Sequence, residues 1–400
     1  MMPKLQKCRS ASILFSLAIF CQSFTQGALA PGAFAQTIQA AADAEQAAGD
    51  LGASETIDAA SSAIVRDDQP KAHGQSTLPD IPISVWHNEQ AKPKAVAVCV
   101  HGLVMHGRVY DRMARTLAAQ GFVVYAQDLR GYGRWQEKSY QVLAGDERLA
   151  DPNYRDQPII LNEPRGRAAD GSRVAEVQYD QSFEDLKGVI EAAHHEHPNL
   201  PLFLIGESLG AGLSLHAAQA MPQHVSGLVL SSPALKRRLY IAPAVVKDCA
   251  TIVTSPHKQC DLSPYIKKLS SEDPRIVAEE MNDPYVRKRL ACKDMFNTFS
   301  LIRSNLSYAE GVSADIPVLV IQGDHDRILK QNAVVLLLEK LQCKDQTVRW
   351  LPGKGHVLIE TALIEPSTLD TIRTWLNDRV PEQSVMQAQT APARDLRVSK

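Results

Sequence analysis

A serine between two glycines, in the run Gly206–Gly210 with the pattern Gly-x-Ser-x-Gly, is suited to nucleophilic chemistry. The apolar run Leu202–Ile205 before it predicts a strand, and Ala211–Met221 after it predicts a helix. A sharp turn between them would lift the Ser208 hydroxyl clear of the sheet, and its crowded backbone would require flanking residues without a Cβ. The pattern predicts Ser208 as a nucleophile; an ordinary strand–helix turn is the alternative, because so short a pattern recurs by chance.

A carboxylate and a histidine follow downstream in the order that an activated serine requires. Asp326 stands in the turn after the predicted strand Ile316–Gln322, at the usual Gly-x-x-Asp spacing, and Asp324 is the alternative acid. His356 lies in a glycine-bearing loop after the last predicted strand. A histidine can take the serine proton while the carboxylate fixes its tautomer, so Ser208, His356 and Asp326 predict acyl transfer.

Two backbone amides are predicted to stabilise the oxyanion of such a reaction. The apolar run Lys94–Val100 predicts a buried strand that ends at His101-Gly102. The N–H groups of Leu103 and Leu209 would then face the reacting carbonyl, although a plain turn would also explain the glycine. Asp128, at the end of the next strand, is predicted to be structural, fixing its loop through hydrogen bonds. This chemistry needs no metal and no organic cofactor.

Continuous apolar runs alternating with amphipathic segments predict an α/β fold with a mostly parallel central sheet flanked by helices. Ile81–Trp86 is predicted as an edge strand, because Pro79 and Pro82 restrict its pairing. The amphipathic segments predict helices over Arg108–Gln120, Gln178–His195, Asn332–Leu341 and Ser367–Arg379.

From about Leu78 to Val380 the chain resembles the monoacylglycerol lipase and lysophospholipase group of α/β-hydrolases, which is also grouped with serine aminopeptidases. The matching segments are His101-Gly102 with Tyr110, Asp128–Gly133, Gly206–Gly210, Gln322–Arg327, Gly355–Leu358 and, weakly, Asn282–Pro284. The resemblance implies an α/β-hydrolase fold with a helical cap. The chain departs from the group at Glu207-Ser208-Leu209, where His-Ser-Met is usual, and at Arg134-Trp135, where a serine is usual.

The chain divides into four predicted parts. They are a signal peptide over 1–35, a low-complexity linker over 36–76, the hydrolase domain over 77–380 and a disordered tail over 381–400. Within the domain, a cap insertion is predicted over about 236–314, and an extra excursion over about 135–177.

The N-terminus predicts export. Lys4, Lys7 and Arg9 precede the short apolar run Ile13–Phe20, and cleavage is expected after Ala35. The protein would then be periplasmic or secreted. An uncleaved membrane anchor is the alternative, although the apolar run is short for a bilayer span.

The composition and charge of the chain limit the classes of partner that it is expected to bind. The 400 residues are 44% hydrophobic and 22% charged with a formal net charge of −2, so no nucleic-acid surface is expected. A small-molecule or lipid ester is the expected substrate. The apolar cap segment Arg238–Val246 could line an acyl pocket, touch a lipid surface transiently, or pack in the cap core.

His194, His195 and His197 are expected to form a solvated helix end, not a metal site.

Five cysteines remain after the predicted cleavage, so at least one thiol has no intramolecular partner. Cys249 and Cys260 are the expected disulfide, and Cys292 with Cys343 is an alternative pair. Cys99 is expected to be a small buried residue of a core strand.

The sequence therefore predicts an exported serine hydrolase that cleaves carboxylic esters, with monoacylglycerol-like or lysophospholipid-like lipids as substrates implied by the resemblance. A peptidase or amidase on the same scaffold is one alternative, since amides also form acyl-enzymes. A non-catalytic binding protein that retains the fold is another.

Overall fold

The computed structural model describes residues 63–71, 77–137, 177–235 and 259–382. They all lie in one compact unit, Asp58–Lys400. The predicted signal peptide, the apolar segment Arg238–Val246 and Cys249 lie outside the described residues, as do most of the predicted excursion and tail.

An eight-stranded sheet forms the centre of the molecule, in the order β1-β2-β4-β3-β5-β6-β9-β10. From β4 to β10 all neighbours are parallel, whereas β2 pairs antiparallel with both β1 and β4. The predicted mostly parallel sheet is confirmed. Its strands are β1 Ile64–Asp67, β2 Ile83–Asn88, β3 Ala95–Val100, β4 Phe122–Gln127, β5 Leu202–Glu207, β6 Gly227–Ser231, β9 Val318–Gly323 and β10 Gln346–Leu351.

The start of the sheet differs from the prediction in two ways. β1 lies inside the range 36–76 that was predicted as linker, and β2 has a neighbour on each side, so its prediction as an edge strand was wrong. The edge is β1, which has only four residues. Arg66 stabilises this strand through ion pairs with Asp68 and Asp111, at 3.3 and 3.2 Å.

The central strands are buried on both faces, as their apolar sequences require. In β3, Val96, Val98 and Val100 belong to one core cluster, and Ala95, Ala97 and Cys99 belong to the other. Side chains alternate along a strand, so a six-residue apolar run serves two cores at once. Cys99 is fully buried, as predicted.

Helices cover both faces of the sheet. α1 and α8 pack in the core cluster that contains Cys99, and α2, α3 and α7 pack in the opposite one. These helices are α1 Asp111–Ala118, α2 Tyr179–Glu196, α3 Leu209–Ala220, α7 Asn332–Lys340 and α8 Pro366–Asn377.

The described part of the cap, 259–314, is mainly helical with one small antiparallel ribbon. Its elements are β7 Gln259–Asp261, α4 Ser263–Leu269, α5 Pro274–Asn282, β8 Arg289–Ala291 and α6 Cys292–Ala309. Among the described residues, no helix combines the length and apolar character needed to cross a membrane.

Candidate active site

Ser208 occupies the strained turn between β5 and α3. Its φ of 55° lies in the left-handed region, which is uncommon for a residue with a side chain. A Cβ on Gly206 would lie 2.5 Å from the backbone of Gly210, and one on Gly210 would lie 1.8 Å from Val100 O. The two glycines are therefore required by close backbone contacts, and the turn presents the serine at the carboxyl edge of the sheet.

The structure brings Ser208, His356 and Asp326 into one chain of hydrogen bonds. His356 Nε2 lies 2.9 Å from Ser208 Oγ, and His356 Nδ1 lies 2.8 Å from Asp326 Oδ2. The three residues come from different loops at the same end of the sheet, after β5, β10 and β9. With the Nδ1 proton directed at the carboxylate, Nε2 is available to accept the serine proton.

Asp326, and not Asp324, is the acid that contacts the histidine. Asp326 is fully buried, and its carboxylate also accepts from Gln322 Nε2 at 3.0 Å and from the backbone N–H groups of Ile328 and Leu329 at 2.8 and 2.9 Å. Asp324 is exposed, and its Oδ1 accepts from Gly353 N–H at 2.7 Å. Asp324 therefore anchors the loop after β10.

Burial and charge act in opposite directions on this pair. Burial alone would lower the pKa of His356, but the charge and hydrogen bond of Asp326 outweigh it, so the pKa of His356 lies above its ordinary value. For Asp326 the directions are reversed. Burial would raise the pKa of its carboxyl, but the charge and hydrogen bond of His356 outweigh it, so the pKa of Asp326 lies below its ordinary value. The carboxylate therefore stays ionised and favours the imidazolium form.

The two predicted oxyanion amides belong to the turn after β3 and to the start of α3, the helix that follows Ser208. A Cβ on Gly102 would come within 3.3 Å of Ser208 Cβ, which brings the turn after β3 against the serine. Leu209 is the first residue of α3, so its N–H has no acceptor within the helix. Leu103 follows Gly102 in a turn in which Val104 adopts a φ of 69°.

His101 supports this turn and does not take part in proton transfer to Ser208. Its Nδ1 lies 2.8 Å from Gly102 O, and its Nε2 accepts from Leu129 N–H at 2.9 Å. These contacts fix the neutral Nδ1–H tautomer. Complete burial lowers the pKa of His101 to about 4, which keeps the ring neutral.

Glu207, which precedes Ser208, holds the loop that carries His356. Its carboxylate accepts from Ser231 Oγ at 2.7 Å and from the N–H groups of Leu358 and Glu360 at 2.9 and 3.0 Å, with Ile359 N–H at 3.2 Å. Only 1% of Glu207 is exposed. Glu207, which stands where the group usually has a histidine, therefore links the turn at Ser208 directly to the loop that carries His356.

Glu360 continues this link to the oxyanion turn. Its Oε1 lies 2.6 Å from Gly102 N and 3.0 Å from Tyr110 Oη, while Tyr110 Oη is also 2.9 Å from Val100 O. The Tyr110 hydroxyl has one proton, and the Val100 carbonyl can only accept it. The contact between Tyr110 Oη and Glu360 is then a hydrogen bond when Glu360 is neutral, because a protonated carboxyl can donate to Tyr110 Oη. Burial first, and then the charge of Glu207, raises the pKa of Glu360.

The second departure, Arg134, stabilises Asp128. Arg134 Nε and its backbone N–H donate to Asp128 Oδ2 at 2.9 and 2.8 Å, and Gly107 N–H donates to Oδ1 at 2.7 Å. Burial would raise the pKa of Asp128, but these contacts lower it to about 2. Asp128 fixes its loop through hydrogen bonds, as predicted.

The cap contacts both loops of the site. Ser270 O accepts from the backbone N–H groups of His356 and Val357 at 3.1 and 2.9 Å. Arg287 N–H donates to the carbonyl of Val104 at 2.8 Å in the oxyanion turn. The cap segment between α4 and β8 therefore helps to position the histidine and the turn that carries Leu103.

Sequence reasoning missed Glu207, Glu360 and Ser270 as parts of the site. Glu207 had one signal, the departure from the histidine that is usual at this position in the group. Glu360 and Ser270 had no such signal. In the described ranges, no cluster of histidine, cysteine and acidic residues is arranged to hold a metal ion. His194 instead packs against His224 at a ring distance of 4.5 Å.

Comparison with known proteins matches residues 91–361 to the family described as serine aminopeptidase, S33. A monoacylglycerol lipase of Mycolicibacterium smegmatis is 25% identical over 296 residues, covering 73% of this chain and 91% of that protein.

Two solved structures share the fold. The monoacylglycerol lipase of Paleococcus ferrophilus has a TM-score of 0.54 at 23% identity and covers 75% of this chain and 100% of its own. A soluble variant of monoglyceride lipase from Saccharomyces cerevisiae, in complex with a substrate analogue, has a TM-score of 0.59 at 16% identity, with coverages of 76% and 94%. The family match spans more than half of the sequence, and the chain belongs to the serine aminopeptidase S33 family as an α/β-hydrolase of the monoacylglycerol lipase group.

Proposed function

We propose that this protein hydrolyses monoacylglycerol-like or lysophospholipid-like esters through an acyl-enzyme on Ser208. As a member of the monoacylglycerol lipase group, the chain is a serine hydrolase of carboxylic esters. The proposal adds the lipid class and the roles of Ser208, His356 and Asp326. The observation that carries it is the hydrogen-bonded chain from Ser208 Oγ through His356 to Asp326.

In the first half of the reaction, His356 Nε2 takes the Ser208 proton as Oγ attacks the ester carbonyl carbon. The carbonyl oxygen becomes an oxyanion that accepts hydrogen bonds from the Leu103 and Leu209 amides. One such donor contributes on the order of 10²–10³ in rate. His356 then gives its proton to the departing alcohol oxygen, which leaves the acyl group on Ser208.

In the second half, water replaces the alcohol. His356 Nε2 takes a proton from the water as its oxygen attacks the acyl carbon, and the same amides hold the second oxyanion. Collapse releases the fatty acid and returns the proton to Ser208. Asp326 remains ionised throughout and stabilises the imidazolium that forms in each half.

The lipid class is inferred from the relatives. The Mycolicibacterium smegmatis protein is a monoacylglycerol lipase by name, and the Saccharomyces cerevisiae lipase structure holds a substrate analogue. The family description names serine aminopeptidases, which makes amides the competing substrates. Transient contact of the cap with a lipid surface is part of the proposal and rests on the apolar sequence Arg238–Val246.

A substrate panel tests the lipid class. Purified protein is assayed with monoacylglycerols of graded chain length, lysophospholipids and aminoacyl amides, with Ser208→Ala as the control. We expect kcat/KM to be highest for one of the two lipid classes and the variant to be inactive. Preferential cleavage of aminoacyl amides would replace the proposal with a peptidase.

A further inference from the structure

Two buried thiols of the cap lie in contact. Cys260 in β7 and Cys292 at the start of α6 have their Sγ atoms 3.3 Å apart, and their residues are only 5% and 3% exposed. Neither cysteine belongs to the site described above. Two nucleophilic sulfur atoms at this distance are close to the geometry from which a disulfide forms, since bonded sulfurs lie about 2.05 Å apart.

The backbone explains why the two side chains meet. Cys260 pairs directly with Leu290 across the β7–β8 ribbon, and directly opposed residues point to the same face. Cys292 is two residues beyond Leu290, and Ala291 between them is extended, with φ −64° and ψ 150°. The side chain of Cys292 therefore returns to the face that carries Cys260.

The two cysteines bracket the cap segment that contacts the site. Between them, Ser270 O accepts from the backbone of His356 and Val357, and Glu279 Oε1 accepts from Ala362 N–H at 2.9 Å. Arg287 N–H binds Val104 O in the oxyanion turn. A covalent link between the ends of this segment would restrict the chain that holds the histidine loop.

We propose that Cys260 and Cys292 form a disulfide bond that closes the cap segment 260–292, which contacts the histidine loop. In the reaction the thiolate of one cysteine attacks an external disulfide, of a protein oxidant or of oxidised glutathione, and releases one external thiol. The second cysteine then attacks the mixed disulfide and releases the other. Overall, the two cysteines lose two electrons and two protons, and the external disulfide gains them.

Peptide mapping of the full-length protein tests the bond. The protein is refolded in a buffer of oxidised and reduced glutathione, remaining thiols are alkylated, and trypsin digestion follows without reduction. Trypsin places the three cysteines in separate peptides: Asp248–Lys258 with Cys249, Gln259–Lys267 with Cys260, and Leu290–Lys293 with Cys292. We expect the second and third to be linked. A link between the first two, or alkylation of Cys292, overturns the proposal.

Stability of cysteine variants gives an independent measurement. Closing a loop of this length restricts the unfolded chain, so reduction should lower the wild-type Tm by on the order of 5–10 °C. Under oxidising conditions, the Tm should fall by the same amount in Cys260→Ser, in Cys292→Ser and in the double variant. Adding reductant should not change the Tm of these variants further. Cys343→Ser is the matched control, since it also removes a buried thiol and should keep the wild-type response to reductant. If the double variant lowered the Tm by the sum of the losses in the two single variants, the result would contradict the bond.

Discussion

At the scale of residues, the two acids of the turn after β9 differ by their partners. Asp326 Oδ2 lies 2.8 Å from His356 Nδ1, whereas Asp324 binds the Gly353 amide. Asp326→Asn would remove the charge that stabilises the imidazolium and should lower kcat by on the order of 10⁴-fold. Asp324→Asn is the matched control and should keep most of the activity. The reverse ranking of the two variants would move the catalytic acid to Asp324.

The pH dependence of activity follows from His356. The imidazole must be neutral to accept the serine proton, and Asp326 raises its pKa above the ordinary value of about 6.5. Activity is therefore low at acid pH and rises through a midpoint above that value. In Asp326→Asn the raising charge is gone, so the midpoint of the residual activity should move to lower pH. A profile of kcat/KM against pH measures both midpoints, and an unchanged midpoint would contradict this assignment.

At the scale of elements, Glu207 joins the nucleophile turn to the histidine loop. Glu207→Gln places an NH2 group where backbone N–H groups now donate, so the loop over 358–360 should loosen. We expect kcat to fall by on the order of 10²-fold, since small misplacements of reacting groups have effects of this size. The charge of Glu207 also raises the pKa of His356, so the acid midpoint should shift to lower pH.

Exposed Glu339 in α7 provides the control for that variant, because Glu339→Gln makes the same chemical change away from the site. It should leave kcat and the pH midpoint unchanged. If Glu207→Gln behaved like Glu339→Gln, the carboxylate would have no role in positioning His356.

How far the sequence predicts each element depends on where its partners lie. The helix predicted over Asn332–Leu341 is observed over Asn332–Lys340, because the residues that bury it, Ala333, Val334 and Leu337, recur at helical spacing within the segment itself. The segment Arg108–Gln120 is a helix only over Asp111–Ala118, after a 3₁₀ turn over Gly107–Tyr110. β1 was missed because its stability comes from pairing with β2 and from the contacts of Arg66, and a strand of only four residues is too short to show a pattern of its own.

The same reasoning explains the site. Ser208, Asp326 and His356 follow from local patterns at strand ends, since parallel strands bring their carboxyl ends to one edge. Glu360 was missed because its partner, Gly102, is 258 positions away, and no local pattern predicts that contact. The contact of Ser270 with the histidine loop is likewise a product of tertiary packing of the cap.

At the scale of the whole molecule, export is a proposal that rests on the N-terminal sequence. Basic residues, a short apolar run and Ala33-Phe34-Ala35 form the pattern of a cleaved signal peptide. Full-length protein expressed in a bacterium with a secretion system should be recovered outside the cytoplasm with Gln36 as its first residue. N-terminal sequencing and cell fractionation measure this. An intact N-terminus in the membrane fraction would support the alternative of an uncleaved anchor.

Labelling with a fluorophosphonate is the most direct test that Ser208 is the nucleophile. The phosphonyl group traps an activated serine covalently, so the protein should be labelled once, with the adduct mapped by mass spectrometry to Ser208. Ser208→Ala should remain folded and unlabelled, while Ser307→Ala, which removes an exposed cap hydroxyl, should label like the wild type. A folded wild-type protein that does not react, or an adduct on any other serine, would contradict the assignment of Ser208.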